Sequence, residues 1–136
     1  MSDIEQTLSI IKPDAVERNL TDKIKLIFTK NNLNIKDSKK IHITKEEAAA
    51  FYEVHQSKPF FDSLCSYLSS GPIIAMILEG KNAISLNRKL MGATDPKKAE
   101  PETIRKLYGI SIDKNSVHGS DSLENAKKEI NFFFKS

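Results

Sequence analysis

Cysteine, histidine and long apolar runs are what this chain is short of. Its 136 residues include one cysteine and three histidines. A single thiol excludes an intrachain disulfide and suits a reducing compartment, so Cys65 is expected to be a small buried hydrophobe. Soft ligands this sparse also exclude a zinc cluster. No apolar stretch comes near the roughly 20 residues of a membrane-spanning helix. The start, Met1-Ser2-Asp3-Ile4-Glu5, has neither the basic nor the apolar region of a signal peptide. A cytoplasmic protein with no membrane partner is expected. The patterns G-x-x-x-x-G-K-[ST], G-x-G-x-x-G and G-x-S-x-G are missing as well. The first two absences remove the common backbone cradles for phosphate, and the third removes a nucleophile elbow.

What is present is ordinary in bulk. Hydrophobic residues at 39% and charged residues at 29% belong to a soluble globular protein, without a low-complexity run, linker or internal repeat. A single domain over residues 1–136 is expected, burying roughly two-thirds of its unfolded surface in one core. The net charge of +3 and pI near 8.9 are compatible with nucleic acid, small anions or no charged partner at all. The lysines are scattered among glutamates instead of forming an arm, so charge alone points to no specific nucleic acid.

Strands and helices alternate along the chain. Thr7 to Ile11 is a β-branched run that Pro13 ends, leaving Lys12 at the strand tip. A helix over about Thr21 to Asn31 turns Ile24, Ile27 and Phe28 inward, and Leu33 to Ile43 alternates as a half-exposed strand with His42 toward solvent. Thr44-Lys45-Glu46-Glu47 has the form of a capping box and opens a helix carrying Ala48, Phe51 and Tyr52. Beyond Pro59, Phe60 to Leu68 reads as a short helix. Gly71-Pro72 then turns into Ile73 to Leu78, a continuous apolar run expected as a buried central strand. Asn82 is positioned to cap a helix through Leu90. The stretch from Met91 to Lys114 has one short helical piece, around Glu102 to Leu107, and loops that long in a compact domain are usually functional. With a short strand and a final helix, the order fits an α+β sandwich: a ferredoxin-like, four-stranded antiparallel sheet with helices over one face.

The chemistry gathers around Asn115-Ser116-Val117-His118-Gly119-Ser120-Asp121. Asp121-Ser122-Leu123-Glu124 fits the D-x-x-E capping box, and Leu123, Ala126, Ile130, Phe133 and Phe134 make an inward stripe on the helix that follows. Glu129 lies at the edge of that stripe. Its carboxylate can hold one imidazole nitrogen of His118 and leave the other as nucleophile or proton carrier. Taken alone, His-Gly-Ser is better read as a surface histidine beside a helix cap. With the backbone cradles absent, a phosphate site has to be assembled from Lys12, Arg88 and Arg105, with Thr94 and Asn115 as hydrogen-bond partners. On spacing alone, Tyr52 and Phe60 are helix-packing residues and His55 ties the turn before Pro59.

Eight segments carry a resemblance: T-L-S-I-I-K-P-D-A (7–15), F-Y-E-V-H (51–55), K-P-F-F (58–61), S-G-P (70–72), L-E-G-K-N-A (78–83), N-R-K-L-M-G-A-T-D-P (87–96), T-I-R (103–105) and N-S-V-H-G-S-D-S (115–122). In this order, from about Thr7 to Phe134, the chain resembles the nucleoside diphosphate kinases. The resemblance implies ping-pong transfer of a γ-phosphoryl group from a nucleoside triphosphate, mainly ATP, to nucleoside diphosphates through a phosphohistidine. Mg²⁺ would bridge the nucleotide phosphates without a protein cage. It implies His118 as the nucleophile through Nδ1, Glu129 holding the other ring nitrogen, and Ser120 supporting Glu129. Lys12, Tyr52, Arg88, Thr94 and Arg105 would bind phosphates or the transferring group, and Asn115 the sugar. Phe60 would stack on the base, with Ile112 across from it. A homo-oligomer, tetramer or hexamer, is implied too, and the chain stops short of the C-terminal extension typical of many hexamers.

Some positions depart from the family pattern. Glu102 stands where glycine is common, Lys106-Leu107-Tyr108 replaces a common small-Asp-Phe, and Asp22 replaces a usual glycine. Two other readings compete with the kinase: a silent nucleotide binder and a ferredoxin-like RNA-binding module. The intact Lys12, Arg88, Arg105 and His118 speak against a silent nucleotide binder. The absence of a K/R-G-F/Y aromatic strand speaks against an RNA-binding module.

Overall fold

The computed structural model describes residues 4–53, 56–111 and 114–134. His55 and Ile112, both singled out above, lie outside the described residues. Four strands form one antiparallel sheet in the order β2-β3-β1-β4: β1 is Ile4–Ile11, β2 Asn34–Ile41, β3 Ile73–Lys81 and β4 Val117–Gly119. The central pair is apolar and the edge strand β2 carries three lysines and an aspartate, as an unpaired edge favours.

Alternation along the central strands divides the core in two. Ile11, Ile74, Met76 and Leu78 point to one side and are covered by α2 (Thr21–Lys30) and α5 (Ala83–Met91), together with Ala15 of α1 (Pro13–Glu17) and Ile104 of α6 (Ile104–Tyr108). Leu8, Ile10, Ile73 and Ala75 point to the other, under α3 (Lys45–Phe51), α4 (Phe61–Leu68) and α7 (Leu123–Phe133). The expected four-stranded antiparallel α+β fold is there, but helices on one face and a single core are not. Central strands apolar on both sides cannot leave either side to water. Among the described residues no helix is long and apolar enough to cross a membrane.

Local signals held where the cap chemistry was complete. Glu47 N donates to Thr44 Oγ1 at 3.1 Å and Thr44 N to Glu47 Oε1 at 2.9 Å, the expected capping box. Others need correction. Pro13 ends β1 but also opens α1 as its first residue, a position where its missing N–H costs nothing. Asn82 precedes α5 in a left-handed conformation (φ 50°) and makes no side-chain cap. The cap of α7 is Ser122, whose Oγ accepts from Asn125 N at 3.1 Å, and not Asp121. Leu123 is 51% exposed, because a periodic stripe gives a direction without guaranteeing a neighbour in the first turn. Glu102 has φ 69°, which is the reason a glycine suits that position.

Candidate active site

The site starts from strand register. His118 pairs with Ile10 and shares its face, toward α3, α4 and α7, while Gly119 pairs with Ser9 and faces α5. A Cβ on Gly119 would lie 2.3 Å from Asn87 Nδ2 and 2.9 Å from Met91 Sδ. A methyl there would have to displace the ends of the Asn87 and Met91 side chains, so glycine lets α5 pack directly on the strand and brings Arg88 and Met91 to the same cavity as His118.

His118 Nε2 lies 3.0 Å from Glu129 Oε1, and Ser120 Oγ donates to the same oxygen at 2.7 Å. Leu8 N donates to Ser120 Oγ at 3.3 Å, tying the pair back to β1. The Phe51 ring meets the imidazole edge-on at 5.2 Å between centroids. A carboxylate can only accept, so Nε2 carries a hydrogen, and in the neutral ring Nδ1 is then the nitrogen with the lone pair. The half-buried imidazole is therefore a ring held in place through Nε2.

Lys12, Tyr52, Phe60, Arg88, Thr94, Arg105, Asn115, His118 and Glu129 all line one cavity of about 740 Å³. That is the size range of small-molecule sites. Lys12 Nζ donates to Asn115 Oδ1 at 2.9 Å, and Asn115 Nδ2 donates to the Thr94 carbonyl at 3.2 Å. Arg105 donates to the carbonyls of Gly92 (3.1 Å) and Val117 (2.9 Å), latching the long loop to β4. Burial, and then the charge of Arg88, push the Arg105 guanidinium down to about 10. Two guanidiniums that disfavour one another across a cavity wall are relieved by an anion between them. Burial holds the Tyr52 phenol well above its usual range, so it remains a hydroxyl donor. Phe60 is 46% exposed at the rim, which removes the helix-packing reading for it. Ser120 supports the wall from behind without lining the cavity.

A model of the nucleoside diphosphate kinases matches residues 5–136. The chain belongs to that family. It is 59% identical to the nucleoside diphosphate kinase of Nitratiruptor sp. over 96% of both chains, and 56% identical to that of Campylobacter concisus over 98% and 97%. Its fold superposes on the crystal structure of the Aquifex aeolicus nucleoside diphosphate kinase with a TM-score of 0.95 at 42% identity, covering 98% of this chain and 96% of that one. The nucleoside diphosphate kinase of Encephalitozoon cuniculi gives 0.94 at 40% identity, covering 97% and 90%. The α+β fold and the phosphotransfer class expected from sequence are both those of the family.

In this kinase the cavity also takes in residues that the sequence analysis gave no role in the site: Phe51, Asp121, Asn125 and Lys128. A signal for two of them existed. Asp121, Asn125 and Glu129 follow one another at intervals of four and so share a side of the chain's last helix and its entry. Asn125 Nδ2 donates to Asp121 Oδ1 at 2.6 Å, and that bond is the main cause holding the Asp121 carboxyl below its usual range. A nucleotide kinase works with a divalent metal ion on the phosphates. Among the described residues no three His, Cys, Asp or Glu side chains gather to cage one. The wall offers two carboxylates; Glu129 serves His118 and Ser120, and Asp121 stands open to solvent. That donor set fits a metal held mainly by phosphate oxygens, with Asp121 the residue that would hold it from the protein side.

Proposed function

We propose that the enzyme, which moves phosphoryl groups from nucleoside triphosphates to nucleoside diphosphates, does so in two half-reactions through His118. The Nδ1 lone pair attacks the γ-phosphorus, the bond from that phosphorus to the β–γ bridging oxygen breaks, and the diphosphate leaves. In the second half, a terminal oxygen of an acceptor diphosphate attacks the same phosphorus and the N–P bond breaks. Throughout, the Nε2 proton stays on the ring, held by Glu129, whose carboxylate balances the positive charge that develops on the imidazole. The observation that supports this reading is the His118–Glu129–Ser120 chain, which engages Nε2 of a histidine lining a cavity that also carries Lys12, Arg88 and Arg105.

Lys12, Arg88 and Arg105 neutralise the phosphates, Tyr52 and Thr94 stand beside the transferring group, and Asn115 meets the sugar. Phe60 stacks on the base, with Ile112 opposite by the resemblance alone. Stacking reads no base edge, so any base is accepted. Mg²⁺, bound with the phosphates, supplies further charge neutralisation. A cytoplasmic homo-oligomer, tetramer or hexamer, that maintains triphosphate pools is the setting the resemblance supports. The reading is tested with γ-labelled ATP and Mg²⁺. Label that is acid-labile and alkali-stable, absent in His118→Ala and chased onto GDP, is expected. ATP binding without any label would sink the reading.

A further inference from the structure

Ser116 combines two features that rarely meet. It is completely buried, and its φ of 75° puts a β-carbon in the left-handed region. It stands between Asn115 and β4, so its conformation decides how the chain enters the strand that carries His118. Its carbonyl accepts from Lys12 N at 2.8 Å, and its hydroxyl donates to Asp14 Oδ2 at 3.1 Å. Arg18 also donates to Asp14 Oδ2, at 3.1 Å, and reaches the Tyr108 carbonyl at 2.5 Å. The Tyr67 hydroxyl donates to Asp14 Oδ1 and accepts from Asp14 N at 2.9 Å. Burial, and then the Asp14 carboxylate, push the Tyr67 phenol upward, so it stays a donor.

None of Asp14, Arg18, Tyr67 and Ser116 lines the cavity. Yet the turn they hold carries the Lys12–Asn115 pair, bonded backbone to backbone at Ser116 and side chain to side chain across the cavity wall. A buried carboxylate with both oxygens engaged is a rigid anchor, because any departure leaves a charge unpaired. Serine has no intrinsic preference for φ 75°, so something outside the turn must stabilise it there. Two groups meet its hydroxyl: Asp14 Oδ2, which accepts from it at 3.1 Å, and Arg18 Nη2, which donates to it at 3.4 Å and is itself held by Asp14 Oδ2.

We propose that Asp14 is a positioning residue, which through Ser116 holds Lys12 and Asn115 in the geometry that receives the nucleotide. The proposal rests on the reading of Lys12 and Asn115 as nucleotide-binding residues. A role in stability alone would leave affinity intact in any variant that folds.

The test measures ADP affinity by calorimetry, well below each variant's thermal midpoint. Ser116→Ala removes one hydroxyl, Asp14→Asn removes the charge, and Ser116→Gly lets the turn form without the carboxylate's help. Ser116→Ala is expected to weaken ADP about three- to tenfold, less than the full worth of a hydrogen bond to a charged group because the loss reaches the nucleotide only through the turn. Asp14→Asn is expected to weaken it at least as much, and by less than half that factor in the Ser116→Gly background. Unchanged affinity in folded Ser116→Ala, or an Asp14→Asn loss equal in both backgrounds, overturns the proposal. Should Asp14→Asn fail to fold, Ser116→Ala decides it alone. Lys12→Ala separates the two levels. Unchanged affinity there brings down the site reading and this inference together. A loss in Lys12→Ala beside none in Ser116→Ala brings down this inference only.

Discussion

Glu129→Gln isolates the charge of the carboxylate from its shape. The amide oxygen can still accept from His118 Nε2 and from Ser120 Oγ, the two donors now 3.0 and 2.7 Å from Oε1, so the ring stays where it is. What disappears is the negative charge opposite a ring that turns positive as Nδ1 attacks. Hydrogen bonds to ionised groups contribute about 1.5–3 kcal/mol and neutral ones about 0.5–1.5. Side-chain exposures of 21% for His118 and 20% for Glu129 let water screen part of the difference. The loss in the transition state is therefore about 1 kcal/mol, or roughly fivefold in rate. The measurement is single-turnover labelling of the enzyme by γ-labelled ATP, beside ADP affinity by calorimetry. Since Glu129 is engaged with His118 and Ser120, affinity should hold within about twofold while labelling slows. Labelling at the wild-type rate, or a loss carried wholly by affinity, would refute the assignment of Glu129 to the developing imidazolium charge.

Three further outcomes are expected. Gly119→Ala drives a methyl into Asn87 and Met91, and overpacking of that kind costs about 1–3 kcal/mol; a lower thermal midpoint with slower His118 labelling checks it. Glu102→Gly relieves a left-handed residue, and a gain of up to about 1 kcal/mol should raise the midpoint by about 2–5 °C with activity unchanged; an unchanged or lower midpoint would discredit the strain. Asp121 has its folded carboxyl pKa depressed, chiefly by Asn125, so it contributes stability that is present above its unfolded value and lost as pH falls through the folded one. The midpoint gap between wild type and Asn125→Ala should thus narrow as pH is lowered from about 6 to about 2, and a gap that widens would contradict the sign.

How much of this was legible in advance depended on the range of the signal. The Thr44–Glu47 box, the buried run of β3 and the inward positions of α2 are local patterns, and the structure reproduces them. The cap of α7 shifted by one residue, because Asp121 and Ser122 are both good caps and sequence cannot rank two adjacent ones. Helices on both faces were missed because the strand pattern was taken element by element. The apolar residues of β1 and β3 on both sides become decisive only once the strands pair.

The sequence by itself determined the chemistry available: one histidine with a carboxylate eleven residues on, three separated cations, no backbone phosphate loop, and eight motifs in family order. Only the tertiary structure decided the distance at which Glu129 meets His118 Nε2, how closely α5 packs on Gly119, and that Asp14, distant in sequence from Ser116, accepts from its hydroxyl. The division has a physical reason. Residue identity and short-range periodicity are carried along the chain. Register and the pairing of buried polar groups arise only when distant segments exclude water together and each donor must find an acceptor.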